Sequence, residues 1–222
     1  MNRQIMNKMR LLKKDNYKFK QVFSRKLLEI SNKPIKSNNN KNVYFIRNAR
    51  SYNDYVFNPE VLRSYDSVLT PEGKKDCYNF KDKYKIDVDV VYVSPLVRSM
   101  QTAELIFKDE RKEVIEELVG YPVCGSPDYK RLELEIFKNR FKSINFDNFN
   151  PREDIWANSI ESIYQLRDRI EKAHDFIINS PEKNICIISQ NSFLIWFIFM
   201  KNKSKYPLID SLNYCQPYYI KI

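Results

Sequence analysis

The side chains able to do chemistry are few, and their spacing excludes more than it offers. The 222-residue chain has one histidine, His174, four cysteines, Cys77, Cys124, Cys186 and Cys215, and three glycines, Gly73, Gly120 and Gly125. A single imidazole rules out any mechanism or metal site that needs two. The cysteines include no C-x-x-C pair and no neighbouring histidine, so clustered zinc ligands are not expected. Free thiols, buried or at the solvent edge, in a reducing compartment fit them better. Average glycine usage of about 7% would supply roughly fifteen residues. With three, far apart, neither a phosphate-cradling P-loop nor a dinucleotide fingerprint can be written. No cofactor is expected.

Charge is unevenly placed. The net charge is +10. Residues 1–41 hold twelve basic side chains and two acidic ones, so the whole excess falls on them and residues 42–222 balance. Within this arm Phe19, Val22, Phe23, Leu27 and Ile30 recur at helical spacing, with Asn16 placed to cap, and a polar linker, Ser31 to Asn42, follows. Three readings of the arm stay open: a mitochondrial targeting segment, an arm docking on RNA phosphates, an acidic protein or anionic lipid, and a solvated tail. Residues 1–10 lack the apolar stretch of a secretory signal. Phe193 to Met200, the longest apolar run, falls far short of the roughly 20 residues that span a bilayer.

Residues 42–222 must supply the positioning elements. Hydrophobic residues at 43% and aromatics at 14% provide for a real core. Val43–Ile46, Val88–Val93, Val114–Val119, Ile185–Ser189 and Tyr214–Ile222 read as strands. Between them lie helical segments. One is capped by Thr70 with Pro71 in its first turn and runs to about Tyr84; another opens at Pro95 and runs through Phe107. Ile160, Ile163, Leu166, Ile170, Ala173 and Ile177 mark a third, with Asn158 and Glu161 spaced as a capping box, and Ser192–Met200 a fourth. This alternation predicts an α/β domain: a three-layer sandwich with a mostly parallel sheet. Sites in such domains form at the carboxyl ends of strands, here Arg47-Asn48, Ser94-Pro95 and Ser189-Gln190.

Four segments in order resemble one family. They are Tyr44 to Ser51 (YFIRNARS), Leu69 to Gly73 (LTPEG), Val93 to Ala103 (VSPLVRSMQTA) and Ile188 to Leu194 (ISQNSFL). Together they are similar to the histidine phosphatase (phosphoglycerate mutase-like) superfamily over residues 42–222. Phe141–Phe149 with Trp156 resembles its larger-insert branch.

The departures carry the functional reading. The resemblance implies a nucleophilic histidine where this chain has Asn48, and a second histidine where it has Gln190. Neither amide has a nucleophilic nitrogen lone pair. It implies an acid/base carboxylate where Gly120 or Tyr121 falls. A phenol of pKa about 10 is a poor proton donor at neutral pH. His174 lies on the 160–177 helix, away from every motif, where a surface or helix-edge role is expected. Ala49 replaces the glycine after the nucleophile, and cationic Arg50 follows.

The resemblance also implies that Arg47 and Arg98 are two phosphate-binding arginines, Arg98 near a helix N-terminus. Equally, they can pair with Asp54, Glu117 or another carboxylate. The expectation is a pseudoenzyme: a structural or interaction subunit of a larger assembly, a mitochondrial respiratory, ATP synthase or ribosomal complex ahead of a cytoplasmic one. Its partners would be other protein subunits, with RNA or anionic lipid met through the arm. A phospholigand-binding regulatory module and a residual phosphatase are the alternatives.

Overall fold

A computed structural model describes residues 41–55, 66–120, 132–149, 161–201 and 211–222. The arm of residues 1–40 lies outside these, as do Tyr121, Cys124, Gly125, Trp156, Asn158 and Ile160.

Five strands make one sheet: β1 (Asn42–Arg47), β2 (Val90–Val93), β3 (Lys112–Val114), β4 (Asn184–Ser189) and β5 (Pro217–Lys221). Their order is β3-β2-β4-β1-β5. The first four run parallel, and β5 is antiparallel to β1. β2 and β4 read VVYV and NICIIS because strands covered on both faces need apolar residues throughout. The period of two divides them cleanly. Ile46, Val91, Val93, Cys186 and Ile188 face a core built with helices α1 (Pro71–Lys83) and α2 (Val97–Ile106). On the other face Phe45 meets Phe197 at 5.4 Å and Tyr92 meets Phe176 at 5.1 Å. Those partners belong to α4 (Ile163–Asn179) and α5 (Asn191–Lys201); the short α3 (Leu134–Arg140) packs Phe137 against Phe141, Phe146 and Phe149. The predicted α/β class with a mostly parallel sheet is what the chain adopts.

Helix α1 starts as its sequence predicts, with Pro71 in the first turn and Thr70 Oγ1 accepting the Gly73 amide at 3.1 Å. Gly73 has a further duty. A Cβ there would lie 2.2 Å from the Arg50 carbonyl oxygen, so glycine lets the helix start press against the loop leaving β1.

Four sequence expectations need correction. The strand at Val114–Val119 is instead Lys112–Val114, paired with Val91–Val93, followed by a 3-10 turn at Glu116–Leu118. β2 ends at Val93, so the ladder closes with Ile115 N donating to the Val93 carbonyl, and the chain turns away. Helix α2 begins at Val97, after a bend at Pro95. The box capping α4 is Ser162 with Gln165, because Glu161 is committed to an ion pair with Arg169. The last strand starts at Pro217, since Cys215 takes a left-handed φ of 49° that interrupts extended chain. Among the described residues no helix is long and apolar enough to cross a membrane.

Candidate functional site

The sheet brings the three predicted strand ends together. Arg47 lies opposite Ser189 in the parallel β1–β4 pairing, and Val93 opposite Ile188. Two further main-chain bonds extend the contact past the strands: Asn48 N to Ser189 O at 3.0 Å, and Ser94 N to Ile188 O at 2.9 Å. Asn48, Ser94 and Gln190 are thus side by side, all buried.

The two amides are engaged. Asn48 donates its Nδ2 hydrogen to the carbonyl of Ala49 at 2.8 Å. Gln190 Nε2 donates to Ser99 Oγ at 2.8 Å, and its Oε1 accepts from Ser94 Oγ at 3.0 Å. An amide that donates and accepts between two hydroxyls is satisfied as a structural group. The loop after β1 is pinned as well: Ala49 N donates to Thr102 Oγ1 at 3.0 Å, and Ser51 N and Oγ both donate to Asp54 Oδ2.

Arg47 is held by the C-terminal segment. Its guanidinium stands 3.5 Å from the centroid of the Tyr214 ring, donates to Leu212 O at 2.9 Å and Ser211 Oγ at 3.0 Å, and lies 4.0 Å from Asp54. Arg50 approaches the same ring at 5.1 Å and forms an ion pair with Asp76. Burial lowers the pKa of Arg47 against the pull of Tyr214 and Asp54, without discharging a guanidinium. Burial pushes the Tyr214 hydroxyl up to about 12, with Arg47 opposing and Asp54 assisting.

Arg98, 5% exposed, sits one residue inside the start of α2 as predicted. One carboxylate near it is Asp66, which no motif in the sequence singles out. Asp66 Oδ1 lies 4.0 Å from Arg98 Nη1 and accepts the Val97 amide at 2.8 Å. A negative group at a helix N-terminus beside an arginine is favourably placed on both counts. Asp66 reaches it from a non-glycine backbone at φ 41°.

Past β3, Arg169 bonds both Glu161 carboxylate oxygens, at 2.8 and 2.7 Å, and the carbonyls of Glu117, Val119 and Gly120. It thereby fixes the segment where the resemblance implies an acid/base group, while Ser189 Oγ donates to the Leu118 carbonyl. His174 is away from the site but is not a surface residue. It is 4% exposed and lies 6.4 Å from the Phe197 ring, and burial lowers its pKa, favouring neutral imidazole.

The sequence profile of the histidine phosphatase superfamily (branch 1) matches residues 43–200, and the chain belongs to that superfamily. The curated 2-carboxy-D-arabinitol-1-phosphatase of Triticum aestivum is 26% identical over 137 residues, 57% of this chain and 26% of that protein. The chain therefore spans about a quarter of that relative's length. Phosphoglycerate mutase from Bacillus anthracis str. Sterne superposes with a TM-score of 0.53 at 16% identity, covering 78% of this chain and 85% of that one. The ecdysone phosphate phosphatase of Bombix mori, solved with tungstate, gives 0.53 at 14% identity, covering 78% and 82%. The two structures are alike in fold.

Proposed function

We propose that this chain is a catalytically inactive histidine phosphatase-like protein acting as a structural or interaction subunit of a larger assembly. One observation carries the reading. At the paired ends of β1 and β4, where the family's two histidines are implied, stand Asn48 and Gln190, both amides already hydrogen bonded to protein. The single histidine of the chain is on α4, outside this cluster. Without an imidazole at either place, transfer of a phosphoryl group to a histidine has no acceptor in this cluster. Asp66 beside Arg98, and Tyr214 against Arg47, further support arginines turned to structural use.

The test is turnover of an aryl phosphate and of phosphoglycerates by the purified chain. The expected rate equals that of an Arg98→Ala control; a clearly higher rate revives the enzyme reading. The subunit role rests on the basic arm, with a mitochondrial complex or ribosome as the proposed setting. Deleting residues 1–30, with an import signal supplied separately, should release the protein from large particles. Unchanged co-sedimentation would remove the arm from the proposal.

A further inference from the structure

Two thiols 138 positions apart meet inside the domain. Cys77 is on the inner face of α1, wholly buried, and Cys215 lies between Tyr214 and β5, 5% exposed. Their sulfurs are 3.7 Å apart. We propose that Cys77 and Cys215 are a redox pair whose disulfide clasps the C-terminal segment onto α1, a modification site independent of whether the domain is an enzyme.

A disulfide has its sulfurs about 2.05 Å apart, so the bond forms when the two sulfurs close the rest of the 3.7 Å between them. Cys215 precedes β5, outside its ladder, with a left-handed φ of 49°. Its own amide donates to the Arg47 carbonyl at 3.1 Å. The bond would therefore be formed next to the Arg47–Tyr214 stack and would hold it closed. Cys186 offers the contrast. It is enclosed in β4, the central strand, and burial raises its thiol pKa well above the usual value.

A small peroxide is the oxidant whose size suits so enclosed a pair. The hydrogen bond with Cys77, and then burial, raise the Cys215 thiol pKa, so the thiolate forms as residues 211–216 open toward solvent. The thiolate of Cys215 attacks one peroxide oxygen, the O–O bond breaks, and a proton converts the departing hydroxide to water, leaving a sulfenic acid. The Cys77 sulfur then attacks the sulfenic sulfur. The S–S bond forms, the S–O bond breaks, and the Cys77 proton leaves with the hydroxide as a second water. Two thiols lose two electrons, and one hydrogen peroxide gains them. A dithiol reverses the change by exchange.

The test uses the full chain, treated natively with hydrogen peroxide, its remaining thiols then blocked in denaturant, and its peptides mapped. The expected product has lost two hydrogens, links the peptides of Cys77 and Cys215, reverts with dithiothreitol and melts at a higher temperature than the reduced chain. The same link should survive Cys186→Ala and disappear in Cys77→Ala. Because the mapping is done on the unaltered chain, it stands even where a variant folds poorly. Links that involve Cys124 or Cys186 instead, sulfinic acids without a link, or a linked form that melts lower would each overturn the proposal.

Discussion

The Asp66 carboxylate and the Arg98 guanidinium stand 4.0 Å apart at the start of α2, and the same Asp66 oxygen accepts the Val97 amide at 2.8 Å. The helix end and the arginine that together favour an anion thus already have one, supplied by the chain.

Removing that internal anion should expose the difference. In the unaltered protein, millimolar sulfate or phosphate is expected to leave Tm where a lysine-rich control protein's stays. Asp66→Asn should lower stability by about 1–3 kcal/mol, the usual cost of disturbing a buried charged hydrogen bond. It should also let either anion raise Tm in proportion to occupancy. A wild-type shift as large as the variant's would restore the phospholigand-binding reading of Arg47 and Arg98.

Restoring the histidines is expected to fail. In Asn48→His with Gln190→His the new imidazole at 190 enters a slot shaped by Ser94 and Ser99, and Asp66 still accompanies Arg98. Ala49 and Arg50 also remain. Phosphate release from an aryl phosphate should stay at the level of the unaltered chain. Turnover by the double variant would mean that the nucleophile was all the site lacked.

Tyr214 predicts an alkaline limit. An exposed phenol ionises near 10, whereas burial holds this one up to about 12. Above pH 10 the unfolded chain releases a proton that the folded chain retains. The stability this provides is complete below pH 10 and is lost as pH rises through 12. Urea midpoints across that interval should fall less steeply for Tyr214→Phe. A residual slope is expected from Tyr92, which burial also raises to about 12.

The Arg169–Glu161 pair gives the largest single-site effect. Both side chains are nearly sealed from solvent, at 3% and 2% exposure. Glu161→Gln takes the carboxylate away from a buried guanidinium, a change that costs about 3–5 kcal/mol. The urea midpoint should drop accordingly with the m-value unchanged. A loss below about 1 kcal/mol would mean that water reaches Arg169.

Local sequence signals served well wherever a residue acts on its own neighbourhood. Thr70 and Pro71 announce α1, and the β-branched runs announce β2 and β4 because those strands need apolar residues on both faces. The strand-end segments Arg47-Asn48, Ser94-Pro95 and Ser189-Gln190 converge as a parallel sheet requires. What stayed hidden depends on partners distant in the chain. Asp66 is 31 residues from the amide it caps, and Leu212, 165 residues from Arg47, supplies a carbonyl to it. His174 is four residues after Ile170 and three before Ile177, so the apolar stripe of α4 carries it to the covered face, where the Phe197 ring of α5 lies 6.4 Å away. Val114–Val119 looked like a strand by composition, yet strand length was decided by the shorter β2.

The order of the strands has a consequence for synthesis. Asn42 pairs with Asn184 on one side and with Lys221 on the other, so β1 has no neighbour until residues 184–189 are made and lacks its second until residues 217–221 follow. While translation proceeds, an apolar strand waits with both edges unpaired, the condition most exposed to wrong pairing. Closure of the sheet therefore waits until residues 217–221 have left the ribosome. A nascent chain stalled before Pro217 should be open to holdase chaperones and to proteases for as long as the stall lasts.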